Sequence, residues 1–161
     1  MDLKWVTREK AKVDRIACPW LIKKFVDKNA EFLFVPNEKI PQVAKEQDAI
    51  PFDCANVELT HYKEGDKQYV SFDAIIRKYK LKDPALLELA KIVRGADAKI
   101  PDAPPESAGL ESIAHGFRNL AKDDFDNMRI QFPTYDALYK YCQLMVEGNT
   151  KLEYNVPQPA R

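Results

Sequence analysis

The feature that most constrains the fold is the uneven distribution of hydrophobic patterns along the chain. Short strand-like runs lie in the first half, whereas the second half carries apolar residues at helical spacing. The predicted strands are "LKWVT", "AEFLFVP", "AIPFDC", "VELTHY" and "QYVSF". Strands and helices segregated in this way are typical of α+β proteins. The sequence therefore predicts an α+β fold with a small mixed sheet in the N-terminal half packed with helices, and a helical C-terminal half.

The helices are predicted from apolar stripes and from residues that favour helix ends. Asp14 is expected to be the N-cap of the first helix, and Asp83 followed by Pro84 is a strong start for a later one. The predicted helices cover residues 16–27, 38–47 and 71–79, a segment from Pro84, a long helix carrying Leu110 to Ala121, and a last helix beginning around Pro133.

A chain of 161 residues is long enough for one domain. Residues 98–106 are rich in proline and lack hydrophobic periodicity, so they form a candidate sub-boundary. We predict a single domain over residues 1–147 and a flexible tail over 148–161.

Charge and cysteine content argue against several classes of protein. Lys+Arg and Asp+Glu both number 25, so no overall field favours nucleic acid or an anionic membrane. The three cysteines are far apart and include no CxxC pair, which favours free thiols in a reducing compartment. The N-terminus lacks the apolar region of a signal peptide, and no apolar run approaches the ~20 residues of a membrane span. We expect a cytoplasmic protein with no membrane partner.

The common cofactor and nucleophile motifs are also absent. The sequence contains no GxxxxGK[ST], GxGxxG or GxSxG, so no nucleotide cofactor is expected. The two histidines cannot form a three-histidine zinc site, and no HExxH occurs.

His61 and Asp53 are the candidate catalytic pair. His61 ends a predicted strand and follows Asp53 by eight residues, so the two side chains can meet at a sheet edge if the flanking strands pair. A carboxylate beside an imidazole can orient it, raise its pKa or share a divalent metal ion with it. Asp124 follows Asp123, and such an acidic pair either binds a hard cation or caps a helix. The candidate metal ligands are thus His61, Asp53 and Asp124. His115 lies on the polar side of its helix and is expected to be solvated.

Two arginines are candidates for binding an anion. Arg15 lies in a first helical turn, where a cation is unfavourable for the helix dipole unless an anion binds there. Arg94 can reach Asp97, which falls on the apolar stripe of its helix, and a forked guanidinium suits a tetrahedral oxyanion. Trp20 lies away from the buried stripe of the first helix. Arg15, Trp20, Arg94 and Asp97 are therefore the predicted ligand-binding residues.

Several strings occur together in an order that is characteristic of one family. They are "KWVTR", "DRIACPWLI", "FLFVP", "PFD" followed by "TH", "IVRGAD", "APPESAGL", "DD" and "YDALYKYC". Over roughly residues 4–143 the sequence resembles the C-terminal domain of ChrB-type chromate resistance proteins. The matching positions are Asp14, Arg15, Cys18, Trp20, Asp53, His61, Arg94, Asp97, Asp123 and Asp124.

The resemblance implies a link to chromate resistance. Longer members are chromate-responsive regulators of an efflux operon and carry an additional N-terminal domain suited to DNA binding. Because this chain begins almost at "KWVTR", direct nucleic-acid binding is not expected of it. The leading hypothesis is a domain that binds or senses a small oxyanion or a metal ion.

Two alternatives remain open at this stage. One is a hydrolase-type or metal-dependent enzyme that activates water with His61 and Asp53. The other is a structural or interaction module that forms a homo-oligomer through its C-terminal helices.

Overall fold

The structure, a computed structural model of the chain, describes residues 2–149. A π-helical turn, Ile22–Val26, extends the first helix, and a 3-10 turn, Asn37–Lys39, precedes the second. The elements are β1 (Lys4–Arg8), α1 (Asp14–Leu21), β2 (Glu31–Val35), α2 (Ile40–Glu46), β3 (Ala49–Pro51), β4 (Tyr62–Glu64), β5 (Lys67–Tyr69), α3 (Ser71–Lys78), α4 (Pro84–Ala98), α5 (Glu106–Leu120) and α6 (Asp124–Glu147). The predicted α+β class is confirmed.

Three strands form a parallel sheet in the order β2-β1-β3. Successive residues of β1 face opposite sides, so Trp5 packs with α1 and α3 whereas Val6 packs against α2. Helices on both faces explain why the centre of β1 is fully buried. The chain passes from β1 to β2 through α1 and returns across β1 to β3 through α2. The order of connection therefore reverses between β1 and β3.

The antiparallel pairing lies in a separate hairpin of β4 and β5, which turns at Gly65 with φ +59°. The predicted strand "VELTHY" is wrong for most of its length, since its first part makes only one bridge, between Phe52 and Leu59. The left-handed backbone of Asp53 (φ +50°) and Asn56 (φ +62°) instead makes the chain between β3 and Leu59 a loop. The turn predicted at "KEGDK" is present.

The first helix begins earlier than predicted. Val13 is its N-cap and makes no side-chain cap bond, so the prediction of Asp14 as the cap is wrong. Asp14 is the first helical residue, and its carboxylate accepts a hydrogen bond from the Ser71 N–H, 57 positions along the chain. Pro19 lies inside the helix, three residues before the π-helical turn.

The last helix also begins earlier, at Asp124 rather than around Pro133. Asp123 is its N-cap and accepts a hydrogen bond from the Asp126 N–H at 2.8 Å. Pro133 lies in the helix interior, where it removes one backbone hydrogen bond of a helix that packs on both α1 and α4. Asp123 thus caps a helix, which is one of the two functions predicted for the Asp123–Asp124 pair.

Residues 98–106 connect helices that share one hydrophobic core. Buried residues on both sides of the segment, including Ala96 and Leu110, belong to the same cluster. Ser107 Oγ donates a hydrogen bond to the Ile92 carbonyl at 2.8 Å, which joins α5 to α4. A sub-boundary at this segment stays a prediction, as does the flexible tail, which falls mostly on residues 150–161, outside the described residues.

Within residues 2–149, no helix combines the length and the apolar character needed to cross a membrane. The three cysteines are free. Cys18 and Cys142 are buried, and Cys54 is half-buried.

Candidate functional site

The candidate site lies where the connection order of the parallel sheet reverses. Arg8 ends β1, and Asp53 follows β3 by two residues. In open parallel sheets, the crevice at the carboxyl ends of two such strands is the usual position of a ligand. Here it is a cavity of about 670 Å³.

Three carboxylates converge on one imidazole nitrogen in this cavity. His61 Nε2 lies 3.1 Å from Asp97 Oδ2, 3.2 Å from Asp53 Oδ1 and 3.5 Å from Asp14 Oδ2. Asp14, Asp53 and His61 each offer an atom within 4.8 Å of the others, the spacing of a metal-ligand group. The structure thus brings the predicted pair His61 and Asp53 together, and it adds Asp14 and Asp97.

One N–H group cannot satisfy three carboxylates. The proton on Nε2 forms a good hydrogen bond with one oxygen, and the other carboxylates are left to repel each other. Two ligands that each lie about 2.1 Å from a metal ion are about 3.0–3.4 Å apart, which is close to the distances around His61. The cluster therefore has the geometry of a cation site.

Ser71 holds two of the carboxylates in place. This buried residue begins α3, and its N–H donates to Asp14 Oδ2 at 2.8 Å while its hydroxyl donates to Asp53 Oδ1 at 2.6 Å. The N-terminus of α3 thereby places positive dipole against the two acids. On the other side, Cys18 Sγ donates to Asp14 Oδ1 at 3.6 Å.

Asp53 is oriented by its own backbone. Its φ of +50° is left-handed, a conformation that aspartate tolerates better than most residues. Its N–H donates to the Leu59 carbonyl at 2.8 Å, which draws the two ends of the 53–59 loop together. This loop brings His61 towards the Asp53 carboxylate without the strand pairing that the sequence predicted.

The cluster shifts the pKa values of its members. Burial, with the charge of Asp97 adding to it, raises the pKa of Asp14 to about 7, although the hydrogen bond with His61 acts against the shift. Hydrogen bonds with Asp14, Asp53 and Asp97 raise the pKa of His61 to about 12. Burial acts to raise the pKa of Asp53, but its hydrogen bonds with His61 and Ser71 outweigh burial and lower it.

Arg15 forms the wall of the cavity next to Asp53. It is 6% exposed, and its Nε lies 3.8 Å from Asp53 Oδ2, beyond hydrogen-bond distance. Its Nε and Nη1 have no hydrogen-bond partner among the described residues. Burial lowers the pKa of Arg15, and the charges of Arg8 and Arg118 act in the same direction. An arginine that has free hydrogen-bond donors and lies near two other arginines is suited to binding an anion.

The rim of the cavity is rich in cations. Arg8 ends β1, Lys10 and Lys12 lie on the loop before α1, and Arg118 lies on α5. Within residues 2–149, neither Arg8 nor Arg118 lies within ion-pair distance of a carboxylate. The cavity therefore combines an acidic floor around His61 with a basic wall and rim.

Two predicted ligand-binding residues lie in other surroundings. Trp20 is 1% exposed, and its indole N–H donates to Asp136 on α6 at 2.9 Å. Arg94 pairs with Asp73 through two hydrogen bonds of 2.7 and 3.0 Å, so the expected pair between Arg94 and Asp97 is wrong. Asp97 instead contacts His61.

Asp124 also lies apart from the His61 cluster. Its two carboxylate oxygens accept hydrogen bonds from the Lys10 and Ala11 N–H groups, at 2.9 and 2.7 Å. It lines a neighbouring cavity of about 430 Å³, which shares Lys10 and Arg118 with the first. Its predicted role as a metal ligand stays untested, and its contacts make it an anchor for the loop before α1.

Neither the role of Asp14 in the cluster nor the support from Ser71 was predicted from the sequence. Asp14 precedes Cys18 by four residues, on the same helix face. Asp14 lies at the start of the buried stripe of α1. This position was the signal that its carboxylate is buried and does not cap the helix. Ser71 carries no comparable signal, because its contribution depends on packing between α1 and α3.

The part of the chain that forms the site matches a known protein family. The family model "ChrB, C-terminal domain" matches residues 5–142. The chain belongs to the ChrB C-terminal domain family. Protein ChrB of Cupriavidus metallidurans (strain ATCC 43123 / DSM 2839 / NBRC 102507 / CH34) is 34% identical over 122 residues, which cover 74% of this chain and 35% of that protein's length. No solved structure matches the chain.

The predicted resemblance to ChrB-type proteins is thus confirmed. The match includes every member of the His61 cluster and Arg15. The matched region spans about a third of the length of this ChrB relative.

Proposed function

We propose that this ChrB C-terminal domain binds a small inorganic ion in its cavity, and that the ion at the floor is a divalent metal cation. The observation that carries the proposal is the convergence of three carboxylates on His61 Nε2 at 3.1 to 3.5 Å. A cation placed among them would remove the repulsion that a single imidazole proton leaves in place.

The ligand types indicate which cations to expect. Carboxylate oxygens with one imidazole nitrogen suit Mn²⁺, Fe²⁺ and Zn²⁺ better than the soft ions that prefer thiolates. Cys18 is not an alternative ligand in this conformation, since its thiol donates to Asp14 and burial raises its pKa well above the usual value. The metal would therefore be held by oxygen and nitrogen.

A small oxyanion is the second candidate ligand of the same cavity. The observation that favours it is the buried guanidinium of Arg15, whose Nε and Nη1 are unpartnered among the described residues. The association of the ChrB family with chromate makes a tetrahedral oxyanion a reasonable ligand, since forked arginines match its oxygens.

The pKa of His61 bears on the enzymatic alternative. A pKa of about 12 keeps the imidazole protonated at neutral pH, whereas a general base needs a pKa near the working pH. His61 is thus unsuited to act as a base in the metal-free domain. Hydrolysis by this site would need water activated by a bound metal ion.

Metal titration tests the proposal. We expect the EDTA-treated, desalted chain to bind Mn²⁺ or Zn²⁺ at one site in isothermal titration, and His61→Ala to weaken binding about 10- to 100-fold or more. Asp97→Asn is expected to weaken it less, because Asp97 lies outside the mutual 4.8 Å group.

His115→Ala is the matched control, since it removes the other histidine from an exposed position on α5. It should bind metal like the wild type. Equal affinity of the wild type and His61→Ala, or no binding of either ion by the wild type, would contradict the proposal.

A further inference from the structure

Arg15 is buried beside the proposed metal site, and its charge is only partly compensated. Its side chain is 8% exposed, and within residues 2–149 its ion pair is the 3.8 Å contact from Nε to Asp53 Oδ2. Nε and Nη1 lack hydrogen-bond partners within residues 2–149. Buried guanidinium donors are normally satisfied, and leaving them unpaired is costly. The side chain lines the cavity, so the guanidinium charge acts on a ligand there.

Asp53 connects Arg15 to the carboxylate cluster. Its Oδ1 lies 3.2 Å from His61 Nε2, and its Oδ2 faces Arg15 Nε. One carboxylate therefore separates the proposed cation position from the free donors. The charge of a cation at the cluster therefore acts on an anion held against Arg15.

The charges of the wall favour a dianion once a cation is present. With a divalent ion bound, the positive groups lining the cavity are that ion and five cationic side chains, and the negative groups are four carboxylates. The cations are Arg8, Lys10, Lys12, Arg15 and Arg118, and the carboxylates are those of Glu9, Asp14, Asp53 and Asp97. The cations then outnumber the carboxylates by more than one charge. The first turn of α1, which contains Arg15, adds the positive end of a helix dipole.

We infer that the cavity binds a metal ion and a small tetrahedral dianion together, with the dianion seated on Arg15 next to the metal. This inference rests on the proposed function and extends it, because each ion then strengthens the binding of the other. Neither ion alone balances the charges of the floor and the wall. The ligand class is the doubly charged tetrahedral oxyanion, to which sulfate and chromate belong.

Mutual strengthening is the measurable consequence. Coupling between two ligands is reciprocal and commonly changes affinity by about 5- to 150-fold. We expect the dissociation constant of sulfate to fall about tenfold when Mn²⁺ saturates the site. The dissociation constant of Mn²⁺ should fall by the same factor in saturating sulfate.

Four titrations of the full chain test the inference at constant ionic strength set with chloride. They are Mn²⁺ alone, sulfate alone, sulfate with saturating Mn²⁺, and chromate with saturating Mn²⁺. Chromate should reproduce sulfate because the two have the same shape and charge, and acetate should show much weaker coupling. If Mn²⁺ binds and sulfate affinity does not change with Mn²⁺, the inference is wrong and the proposed metal site stands. If Mn²⁺ does not bind, the proposed metal site fails first, and the inference fails with it.

Variants of Arg15 assign the coupling to this side chain. Arg15→Gln removes the charge, and Arg15→Lys keeps the charge but loses the fork. We expect the ratio of sulfate affinities with and without Mn²⁺ to fall towards one in Arg15→Gln and to be reduced in Arg15→Lys. Arg129→Gln is the control, because Arg129 is an exposed arginine paired with Asp126 on α6.

A second variant covers the case in which Arg15→Gln does not fold, which circular dichroism would reveal. Arg118→Gln changes the half-buried rim cation whose charge acts on Arg15. It should reduce the coupling about two- to fivefold, which is the size of a single partly exposed charge interaction. Wild-type coupling in the folded variants at both positions would overturn the assignment.

Discussion

The imidazole of His61 shows how strongly tertiary contacts change a single side chain. In isolation histidine titrates near 6.5, and here three carboxylates raise the pKa of His61 to about 12. Asp14 changes in the corresponding way, because burial raises its pKa from 3.8 to about 7. Both groups thus bind protons more tightly in the folded chain than in the unfolded chain.

These two shifts predict how the stability of the metal-free domain depends on pH. The folded chain retains a proton on Asp14 between pH 3.8 and about 7, and on His61 between 6.5 and about 12, where the unfolded chain has released it. Stability therefore falls as pH rises through these windows. We expect the melting temperature of EDTA-treated protein to drop by a few degrees from pH 6 to pH 9. In His61→Ala the slope should be smaller, and a melting temperature that rises over this interval would refute the assignment.

Trp20 and Arg94 show the limit of assigning residues from helix faces. Trp20 was assigned because it lies away from the buried stripe, and Arg94 because it can reach Asp97. Both have partners that lie far away in sequence. Trp20 bonds Asp136, 116 positions later, and Arg94 bonds Asp73, 21 positions earlier. Helical periodicity locates a side chain around its own helix axis, but the neighbouring elements decide what it meets.

At the scale of elements, the loop between β1 and α1 shapes the rim of the cavity. It carries Lys10 and Lys12, and it is fixed by Asp124 at the start of α6. The helical half of the chain thereby positions a loop of the sheet half. This contact gives Asp124 a positioning role that the sequence did not predict.

Asp124→Ala tests this anchor. Loss of two hydrogen bonds to a charged acceptor is expected to lower the free energy of unfolding by about 1–3 kcal/mol, measured by urea denaturation. Asp102→Ala, at an exposed position before α5, should change it by less than about 0.5 kcal/mol. If Asp124 is a metal ligand, as the sequence predicted, the variant will lose bound metal in the same preparation. Retention of metal with reduced stability supports the anchor.

At the scale of the whole molecule, the 98–106 segment decides whether the chain behaves as one unit. Helix α4 carries the site residue Asp97 and packs against α5 and α6. Gly95 allows the close approach of this segment, because a Cβ there would lie 2.7 Å from the Ala103 Cβ. Such a contact is expected of a packed connection rather than of a free hinge.

Gly95→Ala tests the packing of this segment. We expect a loss of about 1–3 kcal/mol in the free energy of unfolding, because the added methyl group requires α4 or the segment to shift. Gly109→Ala is the matched control, since a Cβ at Gly109 meets nothing within 4 Å. In helix α5 that change should stabilise by about 0.5–1 kcal/mol. A stabilising effect at both positions would show that the segment moves freely.

The amino-acid sequence by itself determined the α+β class, the strands of the parallel sheet and the family. These features follow from the local periodicity of hydrophobic residues and from short motifs, and both depend only on residues that are close together in the sequence. It misplaced the start of α1 by two residues, because neighbouring residues offer alternative caps and packing selects between them. It misplaced the start of α6 by nine residues, because Pro133 favours a helix start in the sequence but lies inside the helix. It also identified His61 and Asp53 as one candidate pair, and Arg15 and Asp97 as candidate ligand-binding residues.

Only the tertiary structure decided that these four residues share one cavity with Asp14. Their positions span 84 residues of the chain, from 14 to 97, and lie on α1, α4 and the loops after β3. The reversal of connection order between β1 and β3 brings them together. Contacts of this kind depend on how whole elements pack, and no local pattern encodes the distance of 3.1 Å between His61 and Asp97.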